Sequence, residues 1–277
     1  MSNLGGNNMA IWYEGNRNKE INEREKNGIT YYVRGTAIVD DKVYERYAVK
    51  THFIERNENY IDIINQYIVP LMEKDDILSI SEKVIAMCQG KTVAMDDVKL
   101  GFWAKFLSKF ATKTDSGVSM DEPYKLQLTI NMKGLPLVLW ATFRAAIGKI
   151  FGKSGVFYEV VGKDIAGIDG FYQHSSFEIY HKLAVLIPEN PDQVCDEIKE
   201  KCGINTMIVD ANDIEQEILG CSKDLKLLTD QKLSKLIFDN PAGQDDECTP
   251  FIIIRDLKGR EAEYHEPMVA IDKPKHH

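Results

Sequence analysis

The chain has 277 residues, of which 44% are hydrophobic and 28% are charged, and its formal net charge is −9. This composition is ordinary for a globular protein that buries one large core or two smaller ones. The negative charge argues against a general nucleic-acid surface or a surface for anionic membranes, although a few local lysines suffice to bind a phosphate.

The cysteines and the N-terminal residues bear on the cellular compartment. The five cysteines are an odd set without a CxxC pair, which favours reduced thiols over a disulfide framework. The first residues, MSNLGGNN, lack the basic-then-apolar pattern of a secretory signal. We therefore expect a cytoplasmic protein.

The first part of the chain predicts an extension followed by strands and a helix. Residues 1–28 are rich in Asn, Glu, Lys and Gly, which predicts a loose N-terminal extension. β-Branched and aromatic residues dominate 30–39 and 44–54, which predicts two strands joined through an acidic turn at 40–42. Apolar residues at helical spacing predict a helix over 60–72.

Two polar segments follow strands in this part of the chain. The second strand ends with Thr51 and His52, where a lone histidine is more often structural than functional. A short buried strand at 77–80 meets a polar turn and then a helix, whose exposed N–H groups and dipole favour an anion. Ser81 could cap that helix and Lys83 could add positive charge, although an ordinary N-cap is the simpler interpretation of the segment alone.

The middle of the chain mixes helical and strand-like patterns. An aromatic and basic stretch at 102–110 has helical spacing, and 126–130 and 157–161 predict strands. Residues 135–151 are strongly apolar, but two basic residues interrupt them and the uncharged part is far shorter than the ~20 residues of a span. This stretch predicts an amphipathic or buried helix, with a dimer surface or a lid as alternatives, and no membrane span.

Three apolar runs of the second half border on carboxylates. The short run 166–168 leads directly into Asp169, and 206–209 leads into Asp210. The run 251–254 follows a polar loop. The polar residues beside the two later runs are Asn212, Asp213, Gln244, Asp245, Asp246 and Glu247. Each segment alone could equally be a turn or a solvated acidic loop.

These carboxylates together suggest a cation site. If the three runs are strands side by side in one sheet, their acids meet at one edge. Such a cluster needs protonation or cations, and Asp, Glu and Gln oxygens favour Mg²⁺ or Mn²⁺ over zinc. Two such ions are typical of sites that handle nucleotide phosphates. From the residues alone, a solvated surface and a metal site remain alternatives.

Five segments occur in the same order as in a known family. They are DDILSISEKVIAMCQGK at 75–91, AGID at 166–169, LIPENPD at 186–192, IVDANDI at 208–214 and NPAGQDDECTP at 240–250. On these segments, over a little more than half of its length, the chain resembles the coenzyme F420-0:gamma-glutamyl ligase family.

The resemblance implies an α+β fold of two subdomains that mixes sheets and helices. A ligase-like domain would span 29–260, with a less family-like segment at 98–154 and a C-terminal tail at 261–277. The resemblance also implies a homodimer that binds a nucleotide and a small-molecule substrate rather than nucleic acid.

The implied activity is that of a metal-dependent, GTP-using ligase. It would join L-glutamate, or another amino acid, through an acyl phosphate to a carboxylate of a phosphorylated, cofactor-like substrate, which in the family is a lactyl-phospho-deazaflavin. The implied cations are Mn²⁺ or Mg²⁺ and usually a monovalent cation such as K⁺. The alternatives are a non-ligase protein of the same fold that binds a nucleotide or phosphometabolite, and a phosphotransferase or hydrolase using the same metal cluster.

The resemblance also implies two groups of site residues. The implied metal ligands are Asp169, Asp210, Asp213, Asp246 and Glu247. The implied nucleotide contacts are Thr51, His52, Ser81, Glu82, Lys83 and Gln244. Two positions depart from the family pattern: Gly170-Phe171-Tyr172 replaces a serine and an asparagine, and Ala211-Asn212-Asp213 replaces a threonine ligand, for which either Asp213 or Asn212 is the substitute. The chain is thus similar to a divergent member of the family.

Overall fold

The structure is a computed structural model, which describes residues 11–13, 22–111, 120–171, 178–211, 216–243, 247–263 and 270–272. The chain divides into two units, one formed by residues 1–88 and 189–277 and the other by 89–188. The second unit is therefore an insertion between two segments of the first.

The described residues form twelve strands and ten α-helices. The strands are β1 (Ile11–Tyr13), β2 (Glu23–Lys26), β3 (Ile29–Val39), β4 (Lys42–Val49), β5 (Ile77–Ser81), β6 (Thr92–Ala94), β7 (Asp169–Gly170), β8 (Leu183–Val185), β9 (Asn205–Ala211), β10 (Gln216–Cys221), β11 (Phe251–Asp256) and β12 (Ala270–Asp272). The helices are α1 (Tyr60–Tyr67), α2 (Glu82–Cys88), α3 (Phe102–Leu107), α4 (Pro123–Lys133), α5 (Leu135–Ile150), α6 (Val156–Val161), α7 (Lys163–Ala166), α8 (Ile179–Lys182), α9 (Pro191–Cys202) and α10 (Asp230–Leu236). Short 3-10 turns cover Met95–Asp97, Ser108–Phe110 and Leu225–Leu227. Within the described ranges, no helix has the length and apolar character to cross a membrane.

A seven-stranded mixed sheet organises the first unit, in the order β10-β9-β5-β11-β4-β3-β2. Neighbouring strands are antiparallel except β5 and β9, which run parallel. Strand β11 comes late in the chain but lies in the middle of the sheet. Its apolar residues 251–254 need cover on both faces, which a central strand receives.

Side chains on the two faces of this sheet pack into two separate cores. One core joins the sheet to α1, α2 and α9, and it includes Ile253 of β11. The other joins the sheet to α10 and includes Ile252 and Ile254. Successive side chains of a strand point to opposite faces, so one apolar strand serves both cores.

The hairpin of β3 and β4 has a tight turn and a bulge. Asp40 and Asp41 both have positive φ, 51° and 62°, the backbone that a two-residue turn between twisted strands requires. Aspartate tolerates this conformation. The register of the two strands shifts between Val33 and Thr36, and Gly35 within the bulge has a φ of 69°.

The second unit contains the three-stranded antiparallel sheet β6-β8-β7 and the helices α3 to α8. Its core includes Leu126 and Leu128 of α4, Val138 of α5, and Ile165 and Phe171 on either side of β7. The α+β class expected from the sequence is confirmed, because both units combine sheets with helices.

Several predicted elements of the first unit occur with shifted ends. The strand predicted at 44–54 ends at Val49 and the helix predicted at 60–72 ends at Tyr67. Strand β2 lies within 1–28, for which the composition predicts a loose extension, and it pairs with β3.

The strand prediction at 126–130 is wrong, because these residues belong to helix α4. Pro123 stands in the first turn, and the Glu122 carboxylate accepts the Lys125 N–H at 2.6 Å, so helix-start signals precede the apolar run. Consecutive side chains from 125 to 129 are all buried. A segment buried on every side has no amphipathic period from which a helix and a strand could be distinguished.

The strand prediction at 157–161 is also wrong, because Val156–Val161 is helix α6. Glycines with positive φ bound this helix on both sides, Gly155 at 78° and Gly162 at 105°. Packing in the second unit buries Val156 and Val161. The tertiary environment here overrides the strand preference of β-branched and aromatic residues.

Candidate functional site

The register of the seven-stranded sheet brings four chain segments to one edge. Strands β4 and β5 both end beside the start of β11, with Val49 and Ile80 on either side of Phe251. Since β5 and β9 run parallel, with Ser81 opposite Val209, β9 ends at the same edge. At about 4.8 Å between neighbouring strands, the four segments span about 14 Å.

Most predicted site residues of the first unit lie at or next to these strand ends. Those at the edge are Thr51, His52, Ser81, Glu82, Lys83, Asp210 and Glu247. The structure therefore brings predicted nucleotide contacts and predicted metal ligands to the same edge, although the sequence proposes them as two separate groups. The predicted residues Asp213, Gln244 and Asp246 lie outside the described ranges.

Two backbone hydrogen bonds hold the entry into β11 at this edge. The Thr51 N–H donates to the Cys248 carbonyl at 2.9 Å, and the Ser81 N–H donates to the Pro250 carbonyl at 3.0 Å. The Thr51 hydroxyl donates to the His52 carbonyl at 2.8 Å. These two N–H groups serve the fold and are not available to a ligand at the edge.

His52 is fixed by two neighbours on the same side of the edge. Its Nδ1 lies 2.9 Å from the Tyr67 hydroxyl, and its Nε2 lies 2.8 Å from a Glu58 carboxylate oxygen. Burial alone would raise the pKa of Glu58, but the Glu55 N–H and His52 lower it. These contacts agree with the structural interpretation of this histidine.

Helix α2 begins at Glu82, whose side chain is buried. The positive end of the helix dipole stabilises a carboxylate at this position. The N-terminus that the sequence suggests for an anion thus already carries a carboxylate of the chain. Lys83, which is half-buried, follows it directly.

Asp210 is the penultimate residue of β9 and is half-buried. It lies opposite Glu217 of β10 in the antiparallel register. Like charges directly opposite each other disfavour strand pairing unless cations screen them. The pair therefore concentrates negative charge at the end of β9.

Glu247 is held by a residue that the sequence did not indicate as part of the site. Its carboxylate pairs with the guanidinium of Arg34, whose side chain is only 1% exposed. Glu247 also packs on Gly243, where an added Cβ would come within 2.1 Å of a Glu247 oxygen. The same Arg34 guanidinium lies 5.4 Å from the centre of the Tyr32 ring.

A second buried arginine supports the bulge that carries Arg34. Arg46 forms two hydrogen bonds with Asp239, one of them at 2.9 Å, and donates to the Arg34 carbonyl at 2.8 Å. The sequence does contain a signal for this arrangement. A charged residue followed by glycine inside the strand TYYVRGTAIV is typical of a bulge that places a special side chain.

Asp169 has a different setting, because β7 belongs to the three-stranded sheet of the second unit. The condition that all three acid-bearing runs share one sheet is therefore not met. Beside Asp169 is Lys125, which is only 3% exposed. Burial lowers the pKa of Lys125 to about 8, although the carboxylates of Asp169 and Glu122 act to raise it.

The described residues at this edge offer few ligands for a divalent cation. Across the described ranges, no group of three or more His, Cys, Asp or Glu side chains is placed to hold a metal. Asp210 offers the hard carboxylate oxygen that Mg²⁺ and Mn²⁺ prefer, whereas Glu247 is engaged by Arg34. The other predicted ligands Asp213 and Asp246 lie outside these ranges.

The family model described as F420-0:Gamma-glutamyl ligase matches residues 48–213. The match covers more than half of the chain and includes β5, β9 and the whole second unit. It therefore contains Thr51, Ser81 and Asp210 at the sheet edge, as well as Asp169. A search of curated proteins gives no significant match to the chain.

Proposed function

Because the chain belongs to the F420-0:gamma-glutamyl ligase family, we propose that it is a metal-dependent ligase that uses GTP. It joins L-glutamate, or another amino acid, to a carboxylate of a phosphorylated, cofactor-like substrate. The observation that supports this proposal best is the sheet edge, where Thr51, Ser81 and Asp210 meet within the residues that the family shares.

The proposed reaction has two steps. The substrate carboxylate attacks the γ-phosphorus of GTP, the bond from that phosphorus to its bridging oxygen breaks, and GDP leaves. The glutamate amine then attacks the acyl carbon, a C–N bond forms, inorganic phosphate leaves and the amine gives a proton to solvent. Both steps bring charged groups together, so the protein acts mainly by positioning and neutralising them.

We assign nucleotide contacts to the side chains that follow β4 and β5. Ser81 contributes a hydroxyl and Lys83 a positive charge toward the phosphates. Thr51 and His52 border the same edge, and their hydrogen bonds keep it rigid. The N–H groups of Thr51 and Ser81 are engaged within the fold, so these two residues would contact a ligand through their side chains.

Asp210 would hold a Mg²⁺ or Mn²⁺ ion, with Asp213 and Asp246 as further predicted ligands. Such a cation screens the repulsion between phosphate and carboxylate when it is bound. Glu247 pairs with Arg34 and remains a predicted metal ligand on the family resemblance, as Gln244 remains a predicted nucleotide contact. Asp169 remains a predicted metal ligand on the family resemblance.

The proposal includes two further family properties, a homodimer and a monovalent cation such as K⁺. Sedimentation velocity measures the first. The dependence of phosphate release on added K⁺ measures the second.

Thermal melting with GTP or ATP, each with and without Mn²⁺ or Mg²⁺, tests the ligase proposal. We expect GTP to raise the Tm only when a divalent cation is present, and Asp210→Asn to abolish the rise. Asp256→Asn is the matched control. Asp256 is also half-buried and ends β11 at the opposite edge of the sheet, 3.4 Å from Lys42, so its substitution should leave the rise intact.

Phosphate release then separates the ligase from its alternative. Release that requires L-glutamate and an acceptor carboxylate supports the ligase. A nucleotide-dependent rise in Tm without such release supports the binding protein of the same fold. The absence of stabilisation by any nucleotide with either metal contradicts the ligase and the nucleotide-binding form of the alternative.

A further inference from the structure

The second unit exposes large apolar side chains on two of its helical segments. Most exposed large apolar residues of the described ranges lie between 102 and 151. One group, here called the aromatic ladder, consists of Phe102, Trp103, Phe106 and Phe110. The other, here called the outer face of α5, consists of Leu137, Trp140, Phe143, Ile147 and Ile150. Contiguous exposed apolar surface of this kind marks an interaction site.

Helix α5 is oriented with its small residues inward and its large residues outward. Val138, Ala141 and Gly148 are buried, and a Cβ on Gly148 would come within 2.7 Å of Val156. In contrast, Trp140 and Ile150 are 50% and 80% exposed. Since the inward side is closely packed, the outer face of α5 is a surface that the fold presents to a partner.

The aromatic ladder has its own ordered geometry. The rings of Phe102 and Phe106 are stacked with centres 5.8 Å apart, and the Phe106 and Phe110 centres are 5.2 Å apart. On α5, Trp140 and Phe143 are stacked at 5.7 Å, and the Arg144 guanidinium lies 5.9 Å from the Trp140 ring. On α5 the aromatic rings thus lie against a cation, and in the ladder Lys105 and Lys109 alternate with the rings in the sequence.

The charge around both groups is positive although the whole chain is acidic. Residues 99–111 contain Lys99, Lys105 and Lys109 and no Asp or Glu. Residues 131–155 contain Lys133, Arg144, Lys149 and Lys153, again without an acid, and of these Lys133 is neutralised by Asp164 at 2.8 Å. The whole chain contains 43 acidic and 34 basic residues, so two segments with basic residues and no acid differ from the average composition. The net charge of −9 describes the average surface of the chain and not the surface of these two segments.

We propose that the aromatic ladder and the outer face of α5 bind the surface of an anionic lipid bilayer, with α5 lying in the interface. Tryptophan and phenylalanine beside lysine and arginine are the composition of interfacial helices. Each basic residue near an anionic leaflet contributes favourably as well. At 1.5 Å per residue, α5 offers about 24 Å of helix to the surface.

Charge distinguishes this occupant from a second copy of the chain. In a two-fold interface, each surface meets itself. The outer face of α5 would then bring Arg144 and Lys149 of each copy toward the same groups of the other, without an acid on the segment to oppose them. A bilayer with anionic headgroups supplies the opposite charge. The proposal is independent of the ligase reaction.

Co-sedimentation of the full-length protein with vesicles tests the proposal. We expect binding to vesicles of phosphatidylcholine and phosphatidylglycerol in equal amounts, and little binding to phosphatidylcholine alone. Trp140→Ser/Phe143→Ser should reduce the partition coefficient about tenfold or more, because interfacial aromatic contacts are lost. Arg144→Gln/Lys149→Gln should reduce it roughly fivefold for each charge removed, and added salt should weaken wild-type binding.

Leu227→Ser is the matched control, since Leu227 is 90% exposed but belongs to the first unit. It should bind vesicles as the wild type does. Circular dichroism checks that every variant keeps its helix content. Failure of the wild type to bind anionic vesicles overturns the proposal, and so does undiminished binding by Trp140→Ser/Phe143→Ser. An oligomer that this variant loses, without vesicle binding by the wild type, assigns the surface to a second copy instead.

Discussion

Arg34 and Glu247, which are 213 positions apart in the chain, form a buried ion pair between the bulge of β3 and the segment that enters β11. The side chains are 1% and 9% exposed. The pair therefore ties a local irregularity of one strand to the loop next to the candidate nucleotide edge. Little water reaches either side chain, so water could not replace the contact if Arg34 or Glu247 were substituted.

Removing one member of this pair should be costly. Arg34→Met leaves the Glu247 carboxylate buried without its arginine, and we expect a loss of about 3–5 kcal/mol in the free energy of unfolding. The double variant Arg34→Met/Glu247→Met should recover much of this loss, since no buried charge remains uncompensated. Urea unfolding followed by far-UV circular dichroism measures both. Additive losses in the double variant would show that the two residues do not interact.

Gly243→Ala should displace Glu247. The backbone at Gly243 has a φ of 78°, and an added Cβ would come within 2.1 Å of a Glu247 oxygen. We expect a loss of about 2–4 kcal/mol from backbone strain and steric conflict together. Gly259→Ala is the control, because Gly259 has a φ of 81° with nothing within 4 Å of the added atom. Equal losses in the two variants would mean that contact with Glu247 adds nothing.

Gly170→Ala should disrupt the short sheet that contains Asp169. Gly170 has a φ of 142°, and an added Cβ would come within 2.2 Å of the Ala184 Cα on the paired strand. Backbone atoms cannot move aside as a flexible side chain can, so we expect a loss of about 2–5 kcal/mol in the second unit. Gly152→Ala in the same unit has a φ of 68° and no near neighbour, and should lose about 1 kcal/mol. Tryptophan fluorescence during urea unfolding measures the loss, since this unit contains Trp103 and Trp140, two of the three tryptophans; a Trp12→Phe background removes the signal of the first unit.

The thiol of Cys88 should react slowly at neutral pH. Burial, with a smaller contribution from Glu58, raises the pKa of Cys88 from 9.0 to about 12. Alkylation by iodoacetamide at pH 8 should be roughly a thousandfold slower than for the same residue in urea, because the thiolate is the nucleophile. The rate should increase about tenfold per pH unit up to about pH 11. Peptide mass spectrometry measures both rates, and equal rates in native and unfolded protein would contradict the burial.

The same shift has a defined effect on stability. The pKa of Cys88 in the folded chain is above its unfolded value of 9.0, so the folded state binds more protons between about pH 9 and 12. The stabilisation by this thiol is fully present below pH 9 and is lost as pH rises through 12. Cys88→Ala should therefore lose less stability than the wild type between pH 9 and 11. A steeper loss in the variant would reverse the assigned sign.

The sequence predicts the central strands of the first unit well because their signals are local. Asp40 and Asp41 indicate the hairpin turn, and the apolar run 251–254 indicates a strand that is buried on both faces. The order of the strands, in contrast, depends on pairings between residues that are far apart in the chain. Neither the parallel contact of β5 with β9 nor the insertion of β11 between β5 and β4 can be read from local patterns.

The candidate site likewise combines features that the sequence predicts with features that only the fold reveals. The segments at Thr51, Ser81 and Asp210 are recognised from the family resemblance, and the sheet register brings them to one edge. Arg34 cannot be predicted as part of the site, because an arginine in a strand does not indicate which carboxylate it will pair with. An apolar run precedes both Asp169 and Asp210, which predicts two strands of one sheet, but the run before Asp169 begins at the end of helix α7 and leads into the three-stranded sheet.

The position of β11 also constrains the order in which the first unit can be completed during synthesis. Strands β2, β3 and β4 leave the ribosome long before β9 and β10, and no contact of the sheet joins these groups until β11 has been made. Until then, β4 and β5 each present an open edge of the kind that promotes aggregation. A chain that terminates before Phe251 would thus contain nearly all the strands and still lack the one that unites them.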